Sequence, residues 1–480
     1  MNKRMILNLI AKVLIAEAVL MLFPMFVSIY YGEMSTAASF GVVTIITIAA
    51  CVPFVLIKPK DTELFAKDGF LIVALTWIAC SLVGALPFTV SGCIPSYIDA
   101  FFETVSGFTT TGSTILTEIE SLPKGLLMWR SFTHWIGGMG VLLFVMAIVP
   151  LTKRHSMHLM RAELTGPSIG KLVPKGKSTA IWLYGIYFTL TFLMAILLWL
   201  GDMPLFDSVA NALATAGTGG FSVKNISIEA YNSPYAEYII SIFMLLFSIN
   251  FNMYYYLLIK RFTDVKVNEE WKIFFVIVGV SILIIGINIF PSLNSIEQSF
   301  RTALFQVSSI ISTSGFSTTN FDLWPQLSKS ILLVLMVVGA CAGSTGGGVK
   351  VSRITIMFKN ICKDLRRLSH PQYVRRIKMG GKAVEDEVLS SVMSYIVMYV
   401  FVVAISFLLI SINNFDLETT FSSVIACINN IGPGFGAVGP VGNFSGFSNF
   451  SKIILSIDML FGRLELLPLM LIMTPSFWKK

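Results

Sequence analysis

A chain of 480 residues that is 55% hydrophobic and only 13% charged, with a mean hydropathy of +0.77, excludes a soluble globular protein and points to an integral membrane protein. The net charge of +8 would suit nucleic acid, but the basic residues punctuate alternate loops, so the charge is topological and needs no nucleic acid to explain it. Four histidines and six scattered cysteines offer no zinc or haem ligand set and no disulfide framework.

In chain order, the first apolar run begins at Met5 and extends to about Tyr31 without a small-residue cleavage site, so it reads as a retained helix. It and a second helix make an N-terminal pair over 1–62. Four units follow, at 63–155, 156–265, 266–385 and 386–480, each predicted as helix, half-helix with loop, helix. Uncharged stretches of spanning length include Ile181 to Leu200, Tyr238 to Leu258, Ile273 to Phe290 and Val388 to Ile410. The half-helices are "DAFFETVSGFTTTG", "DSVANALATAGTGG", "TALFQVSSIISTSG" and "FSSVIACINNIGPG", too short to span and suited to re-entrant pore helices. The fold class is therefore an all-α membrane protein of ten spans, with four helix/pore-helix/helix repeats around a central pore.

Parity of the charges agrees. Basic clusters at Lys3/Arg4, Lys58/Lys60/Lys67, Lys153 to Lys177, Lys260 to Lys266, Lys359 to Lys382 and Lys479/Lys480 alternate with loops carrying Glu33, Glu118, Glu120, Glu229, Asp322, Asp416 and Glu418. Both termini are expected in the cytoplasm, with all four half-helix loops open to the outside.

Aligned on their fourth residue, "TTTGST", "GTGGFS", "STSGFS" and "IGPGFG" share Gly112, Gly220, Gly315 and Gly434, and three of the four continue with Phe. A single Gly-rich stretch in such a chain reads as close helix packing. Four copies at equivalent places read instead as loops around one axis, because non-helical backbone at membrane depth survives only when buried or lining a watery path. Rings of backbone carbonyls can replace the hydration shell of a monovalent cation, and glycine leaves the axis open.

With "SGFTTTGST", "GTGGFS", "STSGFSTTNFDLWP", "NNIGPGFGAVGPVGNFS", "RSFTHWIGGMG", "CAGSTGGGVKVSR" and "GRLELL" in this order, the chain resembles the Trk/Ktr/HKT superfamily of potassium transporters, most closely its TrkH-type subunits, from about residue 60 to the end. The resemblance implies channel-like, potassium-selective uptake across the bacterial cytoplasmic (inner) membrane, with K+ as the transported ion and no cofactor bound by this chain. It implies a filter of Thr110, Thr111, Gly112, Gly219, Gly220, Ser314, Gly315, Pro433 and Gly434, with carbonyls of Thr111, Gly112, Gly219, Gly220, Ser314, Gly315, Pro433 and Gly434 coordinating K+. It further implies a homodimer in membrane lipid, each protomer with its own pore, and a cytoplasmic nucleotide-binding regulatory subunit of the TrkA type.

"GACAGSTGGGVK" (Gly339 to Lys350) interrupts a long apolar stretch. It is no phosphate-binding loop, since Gly348 is followed by Val349 rather than Lys-Ser/Thr. A broken helix at membrane depth suits a cavity lining, and the resemblance makes Gly343, Ser344, Thr345, Gly346, Gly347 and Gly348 an intramembrane gate loop; a kink packed on its neighbours is the plainer reading. Arg463 lies inside the last helix, where a guanidinium costs about 2.5 to 3.5 kcal/mol and faces protein or water. It is expected either to point into the cavity below the filter as an electrostatic barrier or to anchor helices through a carboxylate. Arg130 and His134, one turn apart, are expected as outer-interface anchors, and the pair His155/His158 lies in a basic loop. A proton- or sodium-coupled K+ symporter, or a less selective K+/Na+ transporter, is the nearest rival function, with Asp458 as the clear carboxylate deep in a span. An enzyme is not expected, for want of a paired-carboxylate, HExxH or Ser/His/Asp constellation.

Overall fold

The computed structural model describes residues 3–57, 66–140, 176–372 and 376–478. His155, His158, Lys58, Lys60, Lys153, Lys479 and Lys480 lie outside the described residues. Among the described residues the architecture is helical, apart from a hairpin of two two-residue strands pairing Lys378 with Ala383 and Met379 with Lys382.

Six described helices are long and apolar enough to cross a membrane: Lys3–Tyr30, Met34–Leu56, Lys67–Val90, Ile181–Leu200, Glu270–Leu293 and Asp386–Asn413. The last four are the opening helices of the four repeats. The N-terminal helix Lys3–Leu20 packs on both Met34–Leu56 and Ala66–Val90, so the extra pair covers the first repeat. Burial reflects this: 61% of the best window of Lys67–Val90 is buried, against 28% for each of the other three opening helices. Those three present most of their apolar surface outward, as lipid contact requires.

The closing helices of the second, third and fourth repeats are not straight spans. The second repeat was expected to close with one helix from Tyr238 to Leu258; the chain instead bends by 88° between Pro234–Phe247 and Phe251–Leu258. The break is stabilised because its backbone groups find partners: Ser248 O accepts from Cys341 N (3.1 Å), Phe251 N donates to Gly343 O (3.0 Å) and the Asn250 side chain caps Asn252 N (2.9 Å). The third repeat closes with Gln326–Val338, a loop, and Val351–Ser369. The fourth closes with Asn449–Leu464 and Leu466–Met473, broken at Glu465, whose φ is +69°.

Between the opening and closing helices lie four short helices, Tyr97–Phe108, Leu205–Gly217, Ile296–Ile311 and Leu417–Ile428. Three start with side-chain caps, Ser96 to Asp99 N, Ser295 to Gln298 N and Asp416 to Thr419 N, and Pro204 begins the other. Their inner halves are continuously buried, among them Phe102, Phe108, Phe305 and Cys427. They are therefore the interior of the bundle, around which the longer helices are arranged.

Candidate functional site

All four short helices end in the same way. Thr110, Thr218, Thr313 and Asn430 adopt left-handed backbone at φ +56°, +56°, +60° and +55°. The following N–H bonds back across six residues in each copy: Thr111 to Ser106 O, Gly219 to Ala214 O, Ser314 to Ser309 O and Ile431 to Ala426 O, each at 2.9 Å. This is the Schellman closure, which normally recruits glycine at the left-handed residue. Three β-branched threonines there mark a backbone over-determined by its surroundings, as functional loops are.

Two residues beyond each left-handed residue comes a glycine of positive φ: Gly112 (+83°), Gly220 (+75°), Gly315 (+77°) and Gly432 (+102°). Each abuts the carbonyl of the neighbouring repeat. A Cβ on Gly112 would run into Gly219 O, one on Gly220 into Ser314 O, one on Gly315 into Ile431 O, and one on Gly432 would lie 2.8 Å from Thr111 O. The contacts close a ring, from the first repeat through the second, third and fourth back to the first. Neither the positive φ nor the space admits a side chain at these positions.

The ring corrects the fourth register. Gly434 was expected to match Gly112, Gly220 and Gly315, but it has no positive φ, and a Cβ on it would meet Ser422 and Val438 rather than a neighbouring loop. The equivalents are Ile431 and Gly432, not Pro433 and Gly434. The misleading signal was phenylalanine: Phe221 and Phe316 follow their glycines directly, whereas Phe435 comes three residues after Gly432. The usable signal was Asn430, since Asn tolerates left-handed backbone better than any other non-glycine residue in that stretch.

Each junction between loops is tied differently. Fourth to first, Ser113 Oγ donates to Gly432 O (3.2 Å) and Asn430 Nδ2 to Thr111 Oγ1 (3.0 Å). Second to third, Ser317 O accepts from Ile228 N (3.1 Å). Third to fourth, Gly436 N donates to Asp322 Oδ2 (3.1 Å). First to second, Arg130 pairs with Glu103 on the first pore helix (2.8 Å), donates to Ser222 O (3.3 Å) and stacks on Phe221 at 4.0 Å. His134 is fully buried beside it. The expectation that Arg130 and His134 anchor the outer interface is therefore wrong: both sit on the inner face of Lys124–Gly138, which is buried along nearly its whole length.

The 339–350 loop lies against the same ring. Gly347 N donates to Thr313 Oγ1 (2.6 Å) and Gly348 N to Asn429 O (3.1 Å). Glu270 Oε1 accepts from Ala342 N (2.7 Å) and Ser352 N (3.1 Å), holding the loop near both ends. The buried Lys350 ammonium bonds back to Gly346 O. Arg463 reaches across the bundle, donating to Thr345 O of the loop (2.7 Å) and to Gly137 O and Gly138 O of the first repeat, with Trp77 5.8 Å away. Of its neighbours in sequence, Glu465 pairs with Arg353 and Asp458 accepts from Ser406 Oγ (2.7 Å).

A membrane bundle whose four repeats each send a half-helix to a common ring of glycine and carbonyl groups defines a class: a four-repeat membrane protein built around a central ring of loops. The family model TrkH, described as a cation transport protein, matches residues 35–480. The Trk system potassium uptake protein TrkH of Salmonella typhimurium is 39% identical over 435 residues, covering 88% of each chain, and that of Vibrio parahaemolyticus is 34% identical over 100% of each. The crystal structure of the potassium transporter TrkH from Vibrio parahaemolyticus superposes with a TM-score of 0.89 at 32% identity, covering 100% of each chain. The chain belongs to the TrkH family of cation transport proteins, and so to transporters rather than enzymes.

Proposed function

We propose that this protein is a channel-like potassium uptake subunit of the bacterial cytoplasmic membrane, its selectivity filter formed by Thr110 to Gly112, Thr218 to Gly220, Thr313 to Gly315 and Asn430 to Gly432. The observation that carries the reading is the closed ring of positive-φ glycines and neighbouring carbonyls. Backbone carbonyls held at fixed separations replace the water shell of a dehydrated cation, and a ring too tight for any Cβ keeps those separations fixed. The transmembrane potential suffices as driving force: one charge moved through 100 mV gains about 2.3 kcal/mol, which at 1.4 kcal/mol per decade supports roughly fortyfold accumulation. Similarity to proteins named potassium uptake proteins supports K+ as the substrate.

The 339–350 loop is the gate. It hydrogen-bonds directly to the third filter segment and to Asn429, the residue before the fourth, and Arg463 ties it to the first repeat, so opening requires these bonds to be exchanged. Arg463 also places a positive charge beside the loop, where it opposes cation passage. A homodimer with both termini cytoplasmic, regulated by a nucleotide-binding subunit on the cytoplasmic face, completes the proposal. Coupled symport is favoured by one observation: Asp458 is a buried carboxylate whose Oδ2 meets no hydrogen-bond donor among the described residues. The test is K+ flux in proteoliposomes at zero potential under an imposed proton or sodium gradient. Flux that ignores both gradients supports the channel; flux driven uphill by either one supports symport.

A further inference from the structure

We propose that His134 is a positioning residue for ion selection, fixing the separation of the first and second filter segments through the backbone without touching the ion. The inference rests on the filter reading above. The His134 ring lies between two backbone groups from different repeats. Nδ1 is 2.7 Å from Gly107 O, at the end of the first pore helix three residues before Thr110. Nε2 is 3.3 Å from Phe221 N, the residue directly after Gly220.

A carbonyl can only accept and an N–H can only donate, so the imidazole has one workable state, with the proton on Nδ1 and a lone pair on Nε2. It is thereby a two-ended strut of fixed length. The ring also forms the wall behind the second loop: a Cβ on Gly219 would strike the imidazole, and one on Gly217 would strike His134 O. The Phe221 ring lies 4.2 Å away on the same side. Arg130, one turn earlier, carries the neighbouring ties to Glu103 and Ser222. Gly219 O is the carbonyl that Gly112 faces, so movement of the imidazole moves the first contact of the ring.

The two nitrogens of the strut are separated like the oxygen and nitrogen of a carboxamide, so His134→Gln retains a donor and an acceptor. His134→Phe keeps the ring and loses both. In full-length protein reconstituted in bilayers, the Na+ to K+ permeability ratio is read from reversal potentials, with Gly112→Ser as reference. His134→Phe is expected to raise the ratio about tenfold, while His134→Gln stays within about twofold of the parent. An unchanged ratio in His134→Phe, where Gly112→Ser has relaxed it, overturns the role of His134 and leaves the filter standing; so does an equal rise in both His134 variants. If Gly112→Ser also leaves the ratio unchanged, the filter reading itself fails. Imidazole 15N NMR of the parent protein, which has four histidines, tests the strut without any variant: a protonated Nδ1 and bare Nε2 support it, and the opposite tautomer overturns it.

Discussion

At the scale of single residues, the account turns on which glycine completes the ring. Gly432→Ser places a Cβ where φ is +102° and Thr111 O is 2.8 Å away, a combination of backbone strain and overpacking worth about 1 to 3 kcal/mol. Its expected result is a large loss of K+ over Na+ preference in reversal-potential measurements, comparable to Gly112→Ser. Gly434→Ala strains the fold behind the fourth loop, against Ser422 and Val438, and is expected to lower thermal stability more than selectivity. The reverse ranking would restore the register suggested by the phenylalanines. Gly112, Gly220 and Gly315 were legible because short, repeated motifs flank them. Gly432 was hidden because Pro433 and two further glycines crowd the same stretch, and register in such a segment is decided by backbone conformation. Arg130 and His134 were misread for a related reason: a polar side chain in mid-helix carries no sequence mark of the loop it will meet.

At the scale of elements, the 339–350 loop behaves as a segment clamped at its ends and latched at its centre. Glu270→Ala removes a carboxylate that accepts two backbone N–H bonds, each worth about 1.5 to 3 kcal/mol. Amide exchange at Ala342 and Ser352 is expected to accelerate by tenfold or more, with K+ flux raised in the same variant; unchanged exchange would show that the clamp is idle. Arg463→Ala removes the latch to Thr345 and the positive charge together, and single-channel current is expected to rise. Unchanged current and unchanged K+ affinity would remove Arg463 from the barrier role. The sequence marked both features, the glycine run and the buried arginine, because each violates the hydrophobic pattern around it. It did not mark Glu270, which looks like an ordinary charge at a helix start, nor the 88° break at Ser248 to Asn250, whose backbone partners come from a different repeat.

At the scale of the whole molecule, repeat periodicity and charge alternation were enough to lay out an N-terminal pair and four repeats, since hydrocarbon leaves so few backbone solutions. Cysteines introduced at Glu120 and at Lys363 are expected to react with a membrane-impermeant maleimide from outside and inside cells respectively; labelling of both from one side would contradict the topology. The central claim is that the ring of Gly112, Gly220, Gly315 and Gly432 selects potassium. The direct measurement is the reversal potential of purified protein in a planar bilayer with K+ on one side and Na+ on the other. The account predicts a potential close to that of a K+-selective conductance, collapsing towards zero in Gly432→Ser, whereas a parent protein that passes Na+ and K+ equally would contradict it.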